Sequence, residues 1–241
     1  MTEQAAAPAP AFPGALSALA TVSLVVAGLC ALWVAVDVVR RPPRMRVMAV
    51  VWPLTMLFGS VVWLWFYLRW ARTGRADDDA DRPHWVSVVT STSHCGAGCT
   101  LGDVVGEGLV LAVPGLATVA GYGWLFADEM YARWVVDLVL AFGFGIVLQY
   151  LAIAPMRGLS LRRGLAEAVT ADTVSILSWQ LGMYAAMALA QLVVLPAAFG
   201  GPAPVLSVEF WWIMQLAMLT GFATSYPANV WLVRRGVKEA M

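Results

Sequence analysis

Six apolar runs, at about 15–39, 47–69, 86–112, 134–155, 173–199 and 209–233, constrain this chain more than any other feature. Each is long enough to cross a hydrocarbon core of about 30 Å, which takes about 20 helical residues. In lipid every backbone N–H and C=O must be satisfied within a helix or a closed barrel, and no recurring glycine/aromatic hairpin pattern points to strands. The side chains agree: 61% are hydrophobic and 12% charged, where soluble domains carry about a quarter charged. The predicted fold class is therefore all-α, a polytopic membrane bundle of about six transmembrane helices. A formal net charge of zero gives no reason to expect a nucleic-acid partner. The first partner is the lipid bilayer.

Four parts follow from the sequence. Residues 1–14 are an Ala/Pro-rich stretch without Lys or Arg, read as a disordered tail rather than a secretory signal. Residues 15–70 form a two-helix membrane extension, 71–84 an acidic/basic linker that includes Asp77-Asp78-Asp79 and His84, and 85–241 a four-helix core. In a six-span topology Arg69, Arg72, Arg75, Arg82, Arg157, Arg162, Arg163, Arg234, Arg235 and Lys238 fall on one side, and Arg40, Arg41, Arg44, Arg46 and Arg133 on the other. Basic loops stay in the cytoplasm, so both termini are predicted cytoplasmic, in a bacterial inner membrane. The first loop opposes this, with four arginines in the seven residues Arg40–Arg46. An inverted topology, or a re-entrant pair replacing the third span and changing the parity, would remove the conflict.

The third run is unusual in its chemistry. His94-Cys95-Gly96-Ala97-Gly98-Cys99-Thr100-Leu101-Gly102-Asp103 sets an imidazole, two thiols and a carboxyl inside a segment otherwise suited to lipid. The apolar stretch 109–126 could be the span instead, but Pro114, Gly115, Gly121 and Gly123 weaken a helix there, so 86–112 is predicted. On that helix Ser91, Cys95, Cys99, Asp103 and Glu107 fall at i+4 steps and stack on one face. The face winds by about 40° per step, which leaves Cys95, Cys99 and Asp103 as its compact core. A charge at mid-bilayer costs at least about 2.5 kcal/mol unless paired, which marks Asp103 as functional.

Two thiols with His94 make a soft donor set suited to Cu(I) or, with Asp103 and Glu107 included, to Zn(II). Met183 and Met187, and Met214 and Met218, each present two thioethers on one helix face and could add soft steps, though methionine also fills gaps in apolar cores. A Cys95–Cys99 disulfide would need local unwinding, because Cβ atoms at i,i+4 lie about 5–6 Å apart against the 3.5–4.5 Å a disulfide wants. Cys30 is read as a small buried hydrophobe. Gly98, Gly102 and Gly106 form a small-residue face that admits close helix approach, including a second copy or another membrane protein. Gln149, Tyr150, Asp172, Ser175, Gln180, Gln215, Tyr226 and Asn229 are expected inside the bundle, whereas Trp63, Trp65, Trp70, Trp211 and Trp212 are read as interfacial belts.

The ten-residue motif with Glu107, then Gln149-Tyr150 leading to Ile153-Ala154-Pro155-Met156-Arg157-Gly158, Ala171-Asp172-Thr173, and Tyr226-Pro227 through Asn229 to Arg234-Arg235-Gly236-Val237-Lys238-Glu239-Ala240-Met241, resembles the bacterial membrane family catalogued as domain of unknown function 4396. The likeness covers roughly 85–241, and Gly108 departs from it, standing where a larger residue is expected. It implies a fold and a choice of residues but no activity. The functional expectation is a membrane protein that binds or translocates Cu(I) through Cys95 and Cys99, with His94 as third ligand or gate and Asp103 and Glu107 balancing charge or relaying protons. No Walker or phosphorylation-type motif is visible, so any transport is expected to be passive or proton-coupled; the residues favour a non-enzymatic role and leave enzymatic activity open. The competing expectations are a structural or assembly protein without a ligand, and a membrane thiol oxidoreductase.

Overall fold

A computed structural model describes residues 10–72 and 83–238. Most of the predicted tail and of the acidic linker therefore lies outside the described residues. The elements are α1 (Gly14–Arg40), α2 (Met48–Phe66, continued by a π-helical turn Tyr67–Ala71), α3 (His84–Ala112), a short α4 (Gly115–Val119), α5 (Glu129–Arg157), α6 (Leu161–Ala188), α7 (Leu195–Phe199) and α8 (Val208–Arg234). A π-helical stretch, Leu189–Val194, joins α6 to α7. Helix ends follow local chemistry: the Asp128 carboxylate accepts from the Met130 N–H at 2.9 Å to start α5, and Gly158, at φ 59°, takes the left-handed conformation that ends it.

Five segments are long and apolar enough to span a membrane: Gly14–Arg40, Met48–Ala71, His84–Ala112, Glu129–Ala154 and Leu161–Phe199. The chain is thus an all-α membrane bundle, and the placement of the third span at 86–112 agrees with α3. α1 turns Leu19, Val22, Val25, Leu29 and Leu32 outward. α3 is the inner helix, with every residue from Ser91 to Thr100 buried. α8 is as long as α1, at 27 residues, but is less apolar, carrying Glu209, Gln215, Ser225 and Asn229. It packs against α1, α2, α3 and α6, which supply partners for those groups.

The second predicted span, 47–69, is not a straight helix but folds back on itself. Ser60 sits inside α2 at φ 47°, ψ −133°, and the chain reverses there. In a straight helix Trp52 and Tyr67 would stand about 22 Å apart along the axis, yet their rings meet with centroids at 5.7 Å. The returning arm ends where the hairpin began. Tyr67 Oη donates to Asp37 at 2.9 Å, and Arg72 clasps the same carboxylate at 2.7 and 2.9 Å, close to the end of α1. The tip reaches inward, where Gln215, which also accepts from Ser23 at 2.6 Å, donates to the Leu57 carbonyl at 2.8 Å. Trp63, expected at an interface, is buried at this tip. Its ring lies over Gly59 and its indole N–H donates to Ser93 at 2.9 Å.

α1, α3, α5, α6 and α8 run the height of the bundle, and the hairpin enters and leaves at one end. The start of α1, the α4 loop and the 199–208 connection share what we term the near end, where the Ala11 N–H donates to the Phe199 carbonyl at 3.3 Å and Ser17 donates to Glu209. The far end carries the 40–48 connection, both feet of the hairpin, the α5–α6 turn and the residues after α8. Every described Arg and Lys except Arg133 lies toward the far end.

Candidate functional site

α3 and α5 pack closely because small residues face each other. A Cβ on Gly98 would stand 2.6 Å from Gly145 Cα, and one on Gly102 would stand 2.6 Å from Ala141 Cα. The notch at Gly106 is filled by the Asp137 carboxyl of α5. The glycine face read from the sequence is therefore covered within the chain. It is not available to a second copy or a partner unless α5 is displaced.

The face beside it carries the polar ladder. Cys95, Cys99 and Asp103 are fully buried, Glu107 is 2% exposed and His94 1%. The three cysteines of the chain are all free thiols. Asp103 turns toward α6, where Gln180 Nε2 donates to its Oδ1 at 3.1 Å, while Oδ2 meets no donor. One turn further, Glu107 accepts from Arg133 at 2.9 Å, and Arg133 also binds Glu129 at 2.6 Å, which closes the near end of the ladder. Tyr184 stacks on Trp134 with centroids 4.6 Å apart and donates to the Trp134 carbonyl at 2.9 Å, tying α5 to α6 at the same level.

Asp137 is the residue that sequence reading passed over. It is fully buried on α5, neither carboxyl oxygen meets a donor, and it lies within electrostatic reach of Asp103 and Glu107 and of the Arg133 guanidinium. The signal was present in the sequence, since an ionisable residue stands in the apolar run Trp134-Val135-Val136-Asp137-Leu138-Val139. Together Asp103, Asp137 and Glu107 place three carboxyls between α3, α5 and α6, with Arg133 the cation bound to one of them.

Toward the far end, the buried His94 ring lies beside the Leu148 backbone on α5, without a well-formed hydrogen bond at either nitrogen, and within electrostatic reach of Asp172 and Lys238. Asp172 and Lys238 form an ion pair at 2.6 Å with both side chains wholly buried. Beside it Ser175, Ser225 and Asn229 make a buried polar cluster between α6 and α8, in which Asn229 Nδ2 donates to Ser175 Oγ at 2.7 Å. Of the interior polar residues expected from sequence, Gln149 stands apart: it is buried with neither amide atom bonded.

The soft-donor set assembles only in part. Cys95 and Cys99 are near enough to interact through their side chains. His94 follows one residue before Cys95, about 100° away around the helix, and faces the Asp172 side. Among the described residues no group of three or more His, Cys, Asp or Glu side chains is arranged to hold a metal ion. The expectation of His94 as a third ligand thus finds no support in the geometry. Met183, Met187, Met214 and Met218 are buried in the same apolar cluster as the two thiols, and Met218 Sδ accepts from Thr100 Oγ1 at 3.7 Å. His84 is the first residue of α3, remote from the ladder.

A family model described as "Domain of unknown function (DUF4396)" matches residues 84–238, which is α3 to the end of the described chain. The helix α1 and the hairpin lie outside that match. No curated protein and no solved structure matches the chain.

Proposed function

We propose that this chain, which belongs to the DUF4396 family, takes up a cation inside the bundle and passes it along α3, and that the cation is the proton. The observation that carries this reading is the pair Asp103 and Asp137, fully buried, with three of their four carboxyl oxygens meeting no donor. Buried polar atoms in membrane helices are normally bonded, and unpaired ones are expensive enough to demand an occupant. A proton needs only an acceptor oxygen, whereas a metal ion needs several converging donors. Glu107–Arg133 at one end and His94 beside Asp172–Lys238 at the other extend the file in both directions. In proteoliposomes with an entrapped pH dye and an imposed membrane potential, the wild type should acidify or alkalise the lumen, and Asp137→Asn should lower that rate about tenfold or more. A wild type no leakier than empty vesicles would sink the proposal.

A second reading keeps the soft ion at the thiols. It is favoured by two free, buried, interacting thiols in a cluster that also holds four methionines, because Cu(I) accepts few soft donors. Copper retained by the purified protein and lost in both Cys95→Ser and Cys99→Ser would support it, and equal copper in wild type and variants would dismiss it.

The hairpin supports an orientation different from the one expected of six spans. With Met48–Ala71 folded back, the arginine-rich 40–46 connection joins the other basic residues at the far end, and Arg133 alone among the described basic residues stays at the near end. The positive-inside rule then puts the far end and the C-terminus in the cytoplasm and the N-terminus outside, in place of two cytoplasmic termini.

A further inference from the structure

The buried ammonium of Lys238 belongs to neither helix that surrounds it. Lys238 lies beyond α8, after Gly236 at φ 67° turns the chain back so that the Val237 and Lys238 N–H groups both meet the Leu232 carbonyl, at 3.1 and 3.3 Å. This turn delivers the side chain between α6 and α8, where it meets Asp172 Oδ1 at 2.6 Å. The surroundings hold more oxygen than one ammonium uses. Asp172 Oδ2 and Asn229 Oδ1 are buried without a donor. Ser175, one turn along α6 from Asp172, lies 3.3 Å from Ser225 Oγ and is tied to Asn229. Asn229 Nδ2 already donates to both hydroxyls, at 2.7 and 3.0 Å, so the unused oxygens are those of Asp172 and Asn229, with the second lone pairs of the serines completing a hard set that carries a single negative charge.

We propose that the Asp172–Ser175–Ser225–Asn229 pocket is a site for a monovalent alkali cation, and that Lys238 is a tethered cation occupying it. One positive charge balances the single carboxylate, and an ammonium and a potassium-sized ion share charge and approximate size. The site stands on its own, whether or not protons move along α3.

The test is binding of radiolabelled rubidium to the full-length protein in nanodiscs. Wild type should show no saturable binding at millimolar rubidium. Lys238→Met, which keeps the length and removes the charge, should bind one ion per chain and saturate within that millimolar range. Asp172→Asn added to Lys238→Met should abolish that binding. A protease site placed after Gly236 gives a second route, since cleaving it removes Lys238 from protein already folded. Absence of saturable rubidium binding in both the folded methionine variant and the cleaved protein overturns the proposal, as does equal binding in the wild type and the double variant. Binding that persists in Lys238→Met when Asp137→Asn has lowered proton flux would separate this site from the relay.

Discussion

The closeness of α3 and α5 can be tested by one substitution made at two glycines of the same helix. Gly102→Ala puts a Cβ 2.6 Å from Ala141 Cα, while the same change at Gly108 meets nothing within 4 Å. Ordinary contact begins near 3.4 Å, so α5 must retreat by on the order of 1 Å at Gly102, and overpacking of this kind costs about 1–3 kcal/mol. Both changes replace glycine by alanine in a helix, and both gain about 1 kcal/mol of propensity. The shared gain cancels in the comparison. Gly108→Ala should therefore be more stable than wild type, and Gly102→Ala should be less stable than Gly108→Ala by about 1–3 kcal/mol. Reversible unfolding in mixed detergent micelles measures the difference directly. Two variants equal within about 0.5 kcal/mol would refute the close packing, and with it the seating of Asp137 against α3. Because Asp103 and Asp137 sit on the two helices being separated, Gly102→Ala should also slow proton flux, whereas Gly108→Ala should leave it unchanged.

The hairpin and the orientation give two further tests. Ser60→Gly should stabilise the protein by about 1 kcal/mol, because glycine adopts φ 47° without strain; a loss of similar size would indicate a straight helix, where glycine is the poorer residue. Reporters fused to the two termini should sit on opposite faces of the membrane, the C-terminal one cytoplasmic, and two cytoplasmic reporters would exclude the folded-back α2.

Much of the candidate site is legible in the sequence because α3 is regular. The i+4 spacing of Cys95, Cys99, Asp103 and Glu107 fixes their common face, and the Gly98, Gly102 and Gly106 repeat fixes which face can be approached closely. What spacing within one helix cannot give is the opposing wall. Asp137 and Lys238 become part of the site only through the antiparallel register of α3 with α5 and the turn at Gly236. The hairpin was hidden for a different reason: hydropathy counts apolar residues and is blind to chain reversal, so Met48–Ala71 meets every length and composition criterion of a span. Two sequence features do mark it, Gly59-Ser60 at its centre and the arginine cluster Arg40–Arg46 that a crossing α2 would carry to the wrong side.

The hairpin and the low apolarity of α8 have a common cause. A helix that reverses inside the bundle frees carbonyls that the next turn would have bonded, and lipid offers them no donor. The break at Ser60 frees the Leu57 carbonyl, and Gln215 of α8 supplies the missing donor while its oxygen accepts from Ser23 of α1. Trp63, just past the reversal, is likewise held through Ser93 of α3, and its ring packs at 4.7 Å against Phe222 of α8. The polar residues that make α8 a weak span by composition are therefore what allows α2 to turn back beside it. Replacing Gln215 by leucine would make α8 greasier and the bundle less stable, because the Leu57 carbonyl would be left buried without a donor, a loss of about 1–3 kcal/mol.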